Sequence, residues 1–96
     1  MIVTTINYVG IQPSGIVIDD NGKYAYNTNY NTLYAGPDFT NLTPGQGTVN
    51  VIDLCKNKII DTIQVNQGPA NIVLDNNTLY VSNFISNTVN FINLPC

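Results

Sequence analysis

Two stretches of the chain share one pattern, and that repetition constrains the fold more than any single residue does. The clearer copy is Tyr80-Val81-Ser82-Asn83-Phe84, followed after a gap of three residues by Thr88-Val89-Asn90-Phe91-Ile92-Asn93. The earlier copy is Tyr26-Asn27-Thr28-Asn29-Tyr30, followed much later by Thr48-Val49-Asn50-Val51-Ile52-Asp53. A period of roughly 40 to 55 residues marks a repeat architecture, in which each unit buries its apolar face only against a neighbour.

The segments between the copies are short, β-branched and punctuated by turn residues. Met1 to Val9 reads as a strand, ended by Gly10 and Pro13. Gly15-Ile16-Val17-Ile18 is a second, closed by Asp19-Asp20-Asn21-Gly22, where Asn-Gly signals a hairpin because both residues accept positive φ. Lys23 to Tyr30 returns, with Tyr24, Tyr26 and Thr28 on one face and Ala25, Asn27 and Asn29 on the other. Residues 31–47 hold two turn clusters, Gly36-Pro37-Asp38 and Pro44-Gly45-Gln46-Gly47, and read as a long loop. Strands follow at Thr48 to Leu54, Lys58 to Val65, Ile72 to Leu74, Thr78 to Phe84 and Thr88 to Leu94. No segment shows helical spacing of apolar residues, so the expectation is an all-β chain of eight strands.

Composition removes several functions. The 96 residues suffice for one small domain. They include only three Lys and six Asp as charged side chains, with no Arg, Glu, His or Trp. A net charge of −3 without a basic patch argues against nucleic acid, whose binding depends on clustered cations at the phosphates. Lacking His, the chain has no imidazole base or imidazole metal ligand. No apolar run is long enough for a membrane-spanning helix, and the start lacks the pattern of a signal peptide. Sixteen Asn residues supply much of the polarity, and this neutral, amide-rich character suits an extracellular or particle surface, such as a cell exterior or a virion.

The pattern Pro-x-Gly-Ile, Asp-x-Gly-Lys-x-x-Tyr, Asn, Thr-Val-x-Val-Ile-Asp resembles the YVTN family of β-propeller repeats. Pro13, Gly15, Ile16, Asp20, Gly22, Lys23, Tyr26, Asn29, Thr48, Val49, Val51, Ile52 and Asp53 carry it in the first copy. Pro69, Ile72, Asp75, Tyr80, Val81, Asn83, Thr88, Val89 and Ile92 carry it in the second. The copies depart from the pattern at Asn71 and Asn77, which replace glycines, and at Asn27, which replaces valine. The resemblance implies a β-propeller of four-stranded blades and a surface-layer or cell-surface setting.

On that reading the chain is one unit of two blades: an outer strand D at 1–9, a blade at 10–65 with a long B–C loop at 31–47, and a partial blade at 66–96. Met1 to Val9 matches Ile59 to Val65, with Thr5-Ile6 against Thr62-Ile63, so the fourth strand of the second blade stands at the front of the chain. Copies arranged head to tail would let each first strand close a neighbour's last blade, removing exposed faces and a free strand edge. A trimer makes six blades and is favoured; a tetramer makes eight, and a fragment of a longer propeller is the alternative.

The expected function is a non-enzymatic surface or structural interaction module that binds a partner through its loop face, with a lectin-like carbohydrate-binding propeller as the alternative. Tyr34, Asp38, Phe39 and Asn41 in the insertion are the candidate partner-binding residues. The competing reading is that Phe39 and Leu42 only pack the loop down. No catalytic set, metal site or cofactor motif is expected: the serines have no base, and Asp19-Asp20-Asn21-Gly22 lacks the further acidic ligands of a calcium loop. Cys55 and Cys96, at matching ends of adjacent blades, are read as free thiols, with an intermolecular disulfide as the alternative.

Overall fold

A computed structural model describes residues 3, 5, 6, 12–30, 32–35, 41–44 and 46–95. Among these the protein is all-β, with no helix and hence none long and apolar enough to cross a membrane. The strands are β1 (Pro13–Ile18), β2 (Tyr24–Asn29), β3 (Thr32–Ala35), β4 (Asn41–Pro44) and β5 (Thr48–Asp53). They continue as β6 (Lys58–Gln64), β7 (Pro69–Asp75), β8 (Thr78–Asn83) and β9 (Thr88–Asn93). A four-stranded antiparallel sheet has the order β1-β2-β5-β6, a three-stranded one the order β7-β8-β9, and β3 and β4 form a separate two-stranded ribbon.

The main sheets share a hydrogen-bonding plan. At one end Tyr30 N donates to Gln12 O at 2.9 Å and Phe84 N to Gly68 O at 2.7 Å; at the other, Leu54 N donates to Lys23 O at 2.9 Å and Leu94 N to Asn77 O at 2.8 Å. Gln12 and Gly68, each just before the first strand of its sheet, both take positive φ, 58° and 69°. The first strands are irregular at matching places, between Pro13 and Gly15 and between Pro69 and Asn71.

Strand alternation sends one face of each sheet into a shared core. Tyr26, Val49 and Val65 from the first sheet meet Ile72, Leu79 and Val81 from the second, with Val17, Tyr24, Val51, Ile63, Leu74, Ile92 and Leu94 at the margin. Gly15 permits close approach at the seam: a Cβ there would lie 3.3 Å from Ile72 Cγ2. Beside it Ser14 Oγ donates to Pro69 O across the sheets at 2.8 Å.

Three expectations are modified. The insertion at 31–47 is not a featureless loop, because Thr32 to Ala35 pairs with Asn41 to Pro44 in antiparallel register. Each arm has only four residues, too short for an alternation signal to stand out between the turn clusters. At the first hairpin only Gly22 of the Asn-Gly pair takes positive φ, because Gly22 N bonds back to Asp19 O at 3.0 Å in a longer turn. The two-residue turn with both φ positive is instead Asn76-Asn77, at 47° and 63°. The expected N-terminal strand lies mostly outside the described residues, and Val3, Thr5 and Ile6 are not in a strand.

The third change concerns asparagine. Asn27, Asn29, Asn50 and Asn83 are buried rather than displayed. A buried amide needs partners, and the first sheet supplies them in a chain. Asn27 Nδ2 donates to Asn29 Oδ1 at 3.0 Å, Asn29 Nδ2 to Asn50 Oδ1 at 2.7 Å, and Asn50 Nδ2 to Thr62 Oγ1 at 3.0 Å. The second sheet repeats one link, Asn83 Nδ2 to Asn90 Oδ1 at 2.8 Å.

Candidate partner-binding face

Backbone contacts gather the strand connections at one end of the molecule. Gln46 and Gly47, where the insertion rejoins β5, are tied to the link between β6 and β7. Val65 N donates to Gly47 O at 2.9 Å, and Gln46 Nε2 donates to Val65 O. A Cβ on Gly47 would come within 2.4 Å of both Asn66 O and Pro69 Cδ, so no larger residue fits without displacing backbone. The turn between β8 and β9 joins the same end, where Ser86 N donates to Gln67 O at 3.3 Å.

The insertion therefore leaves and re-enters at this end. Tyr34 pairs with Leu42 and Ala35 with Asn41 in the ribbon, so Tyr34 and Asn41 sit in the last two register steps before the connection at 36–40. Asp38 and Phe39 fall outside the described residues. The ribbon thus brings the backbones of Tyr34 and Asn41 near each other. Loop chemistry on a rigid sheet end suits partner recognition.

The opposite end is occupied by its own turns. Asp19 Oδ1 accepts from Lys23 N at 2.8 Å and Tyr24 N at 3.3 Å, and Asp53 Oδ1 accepts from Cys55 N at 2.9 Å and Lys56 N at 3.0 Å. These carboxylates organise hairpins. Cys55 is exposed there as a free thiol, while Cys96 lies outside the described residues. Among the described residues no group of three or more His, Cys, Asp or Glu is placed to hold a metal ion.

A cleft of about 640 Å³ opens between the sheets near this end, bounded by Tyr24, Ile60, Asp61 and Ile63 on the first sheet and by Leu74 and Leu94 on the second. Ile60 is half-exposed on β6, the outermost strand of the first sheet. The second sheet, one strand narrower, leaves this part of β6 uncovered. Tyr26 also lines the cleft, and burial, followed by the nearby charge of Asp19 and by Tyr24, raises its phenol above the usual 10.0.

The sequence reading expects exposed blade faces without naming their residues, and the second sheet carries such a face. Val73, Tyr80, Val89 and Phe91 stand on the outer face of the second sheet, with Phe91 69% exposed. The alternation of β7 to β9 carries the signal, since apolar residues occur at both odd and even positions, as in a strand covered on both faces. Comparison of the chain with family models, curated proteins and solved structures gives no match.

Proposed function

We propose that the protein is a non-enzymatic interaction module in which copies of the chain close into a β-propeller. The end carrying β3 and β4 is offered to a protein or glycan partner. The observation that carries this reading is the unequal width of two otherwise matching sheets, four strands against three. The outer edge of β9 corresponds to the edge of β5 that pairs with β6, and among the described residues nothing pairs with it. A free edge of this kind invites strand addition.

The N-terminal segment of a neighbouring copy is the strand proposed to fill that place, since its sequence matches β6. It would also lie over Ile60 and Ile63, closing the cleft beside Leu94. Three copies give six blades, the arrangement favoured here, in keeping with the resemblance to YVTN repeats. The amide-rich, weakly charged composition supports a surface setting.

Amide hydrogen exchange tests the reading at β9. The amides of β9 that point away from β8 should exchange as slowly as their counterparts in β5, which bond to β6. Removing residues 1–9 should expose the β9 set alone. Rapid exchange of those amides in the intact protein would contradict the proposal.

A further inference from the structure

Both sheets carry the same clamp of amides, and only the first completes it. There Asn29 Nδ2 donates to Asn50 Oδ1 at 2.7 Å, and Asn50 Nδ2 donates to Thr62 Oγ1 on β6 at 3.0 Å. Asn83 and Asn90 are the counterparts of Asn29 and Asn50. Asn29 pairs with Thr48 as Asn83 does with Thr88, and Asn27 pairs with Asn50 as Val81 does with Asn90. Asn90 Oδ1 accepts from Asn83 Nδ2 at 2.8 Å and from Asn66 N at 3.0 Å. Asn90 Nδ2, the counterpart of the group that reaches Thr62, has no hydrogen-bond partner among the described residues. Asn90 is half-buried on the outermost strand of its sheet, and this nitrogen is not enclosed as the unpartnered oxygens of Asn27 and Asn83 are. A donor placed there is open to an acceptor arriving at the edge of β9.

The N-terminal segment is already placed like a fourth strand that lacks its neighbour. Ile6 is half-buried and bounds an open depression with Ile16, Asn27 and Ile52, on the side of the first sheet away from the second. Those three match Ile72, Val81 and Ile92, because Ile16 pairs with Asn27 as Ile72 does with Val81, and Ala25 with Ile52 as Leu79 does with Ile92. Ile63 of β6 packs against the cluster that holds Ile72 and Val81, with Ile92 at its margin. Ile6 therefore stands to the first sheet as Ile63 stands to the second. Thr5 precedes Ile6 as Thr62 precedes Ile63, and Thr5 is exposed. Consecutive side chains of an extended strand point to opposite sides, so Thr5 would turn away from the sheet that Ile6 touches.

We infer that the N-terminal segment of one copy joins β9 of another in a single register, Thr5 opposite Asn90, with Thr5 Oγ1 accepting from Asn90 Nδ2. This rests on the ring reading and fixes the register of its joint. The occupant is a second copy because the first sheet stands between Ile6 and the sheet that ends in β9, so the segment cannot serve its own β9 from where it lies. The place of Ile6 also selects the register. A slip of one residue in either direction reverses every side chain of the strand and turns Ile6 to the Asn90 side, away from Ile16 and Ile52. Ile6 thus holds the segment to its own chain, and Thr5 holds it to the neighbour.

Cysteine pairs test the register in a chain already carrying Cys55→Ser and Cys96→Ser. Thr5→Cys with Asn90→Cys should give covalent multimers on oxidation, because residues opposite each other in an antiparallel pair have Cα atoms about 4.5–5.5 Å apart, within disulfide reach. Thr5→Cys with Val89→Cys or Phe91→Cys, which stand on the other face of β9, should stay unlinked. A double-mutant cycle on self-association, measured by sedimentation, tests the hydrogen bond. Thr5→Val should weaken association about 3- to 10-fold when Asn90 is present and less than about 2-fold beside Asn90→Ala. In a protein that associates, failure to link at position 90, a link at 89 or 91, a link within one chain, or an equal effect of Thr5→Val in both backgrounds overturns this joint while the ring stands. A wild-type protein that stays monomeric overturns both.

Discussion

The four-stranded and three-stranded sheets are laid out on matching hydrogen bonds, yet their outward sides differ in kind. The first sheet carries buried amides on its outer side, linked from Asn27 through Asn29 and Asn50 to Thr62. The second carries an open apolar side with Tyr80 and Phe91, and it ends one strand early. One backbone plan thus serves two surroundings, and the differences fall where each sheet looks away from the other. Apolar surface of this type, at about 25 cal/mol per Å², favours association.

The largest effect should come from the contact that the two sheets share. Leu79 is fully buried, whereas the matching position of the first sheet holds Ala25. Leu79→Ala should therefore lower unfolding free energy by about 2–5 kcal/mol. Phe91→Ala should change the stability of the dissociated chain by only about 0.5 kcal/mol or less. Urea unfolding at low protein concentration separates the two; equal losses would mean that the outer face is packed within a single chain.

Next is the seam at the loop end. Gly47→Ala drives a Cβ into Asn66 O and Pro69, and overpacking of this sort costs about 1–3 kcal/mol. Gly15→Ala meets its closest neighbour at 3.3 Å and asks for a smaller adjustment. Thermal unfolding of the pair should rank Gly47→Ala as the more harmful.

The amides give a finer contrast. Asn29→Ala removes the donor to Asn50 Oδ1 and leaves Asn27 Nδ2 with Thr28 O alone at 3.3 Å, and a buried polar group left unpaired costs about 1–3 kcal/mol. Asn83 Oδ1 is already buried without a partner, because Val81 stands where Asn27 would supply a donor. Asn83→Ala should therefore destabilise less than Asn29→Ala in denaturant titrations, and the reverse order would break the argument.

The smallest effect concerns Tyr26, whose phenol is raised above 10.0 by burial and then by Asp19 and Tyr24. An acid that is harder to ionise in the folded state contributes fully below its unfolded value. Its contribution is lost as pH rises past about 10, where the unfolded chain releases the proton first. Tyr26→Phe should flatten the decline in stability above that pH.

Much of the scaffold was legible in the sequence because strand periodicity and turn chemistry are local. Thr48 to Asp53, Thr78 to Asn83 and Thr88 to Asn93 are short runs rich in β-branched and aromatic residues, and Asn57 and Asn87 sit at positive φ in the gaps between expected strands. The ribbon of β3 and β4 was not legible, since four-residue arms carry too little pattern to outweigh Gly36 and Pro37 between them. The buried amides were missed for a different reason. Asparagine alternating with tyrosine in β2 looks the same whether its face meets water or protein, and only the register Asn29↔Thr48, Asn83↔Thr88 shows the shared polar clamp. Of the candidate site, Tyr34 and Asn41 prove close in register, a proximity that depends on the ribbon itself.

The account turns on whether copies of the chain complete one another, and solution mass addresses that directly. Sedimentation equilibrium should give a single species of three times the 10.5 kDa of one chain, or four times if the ring is the larger one. A monodisperse monomer across the accessible concentration range would contradict it.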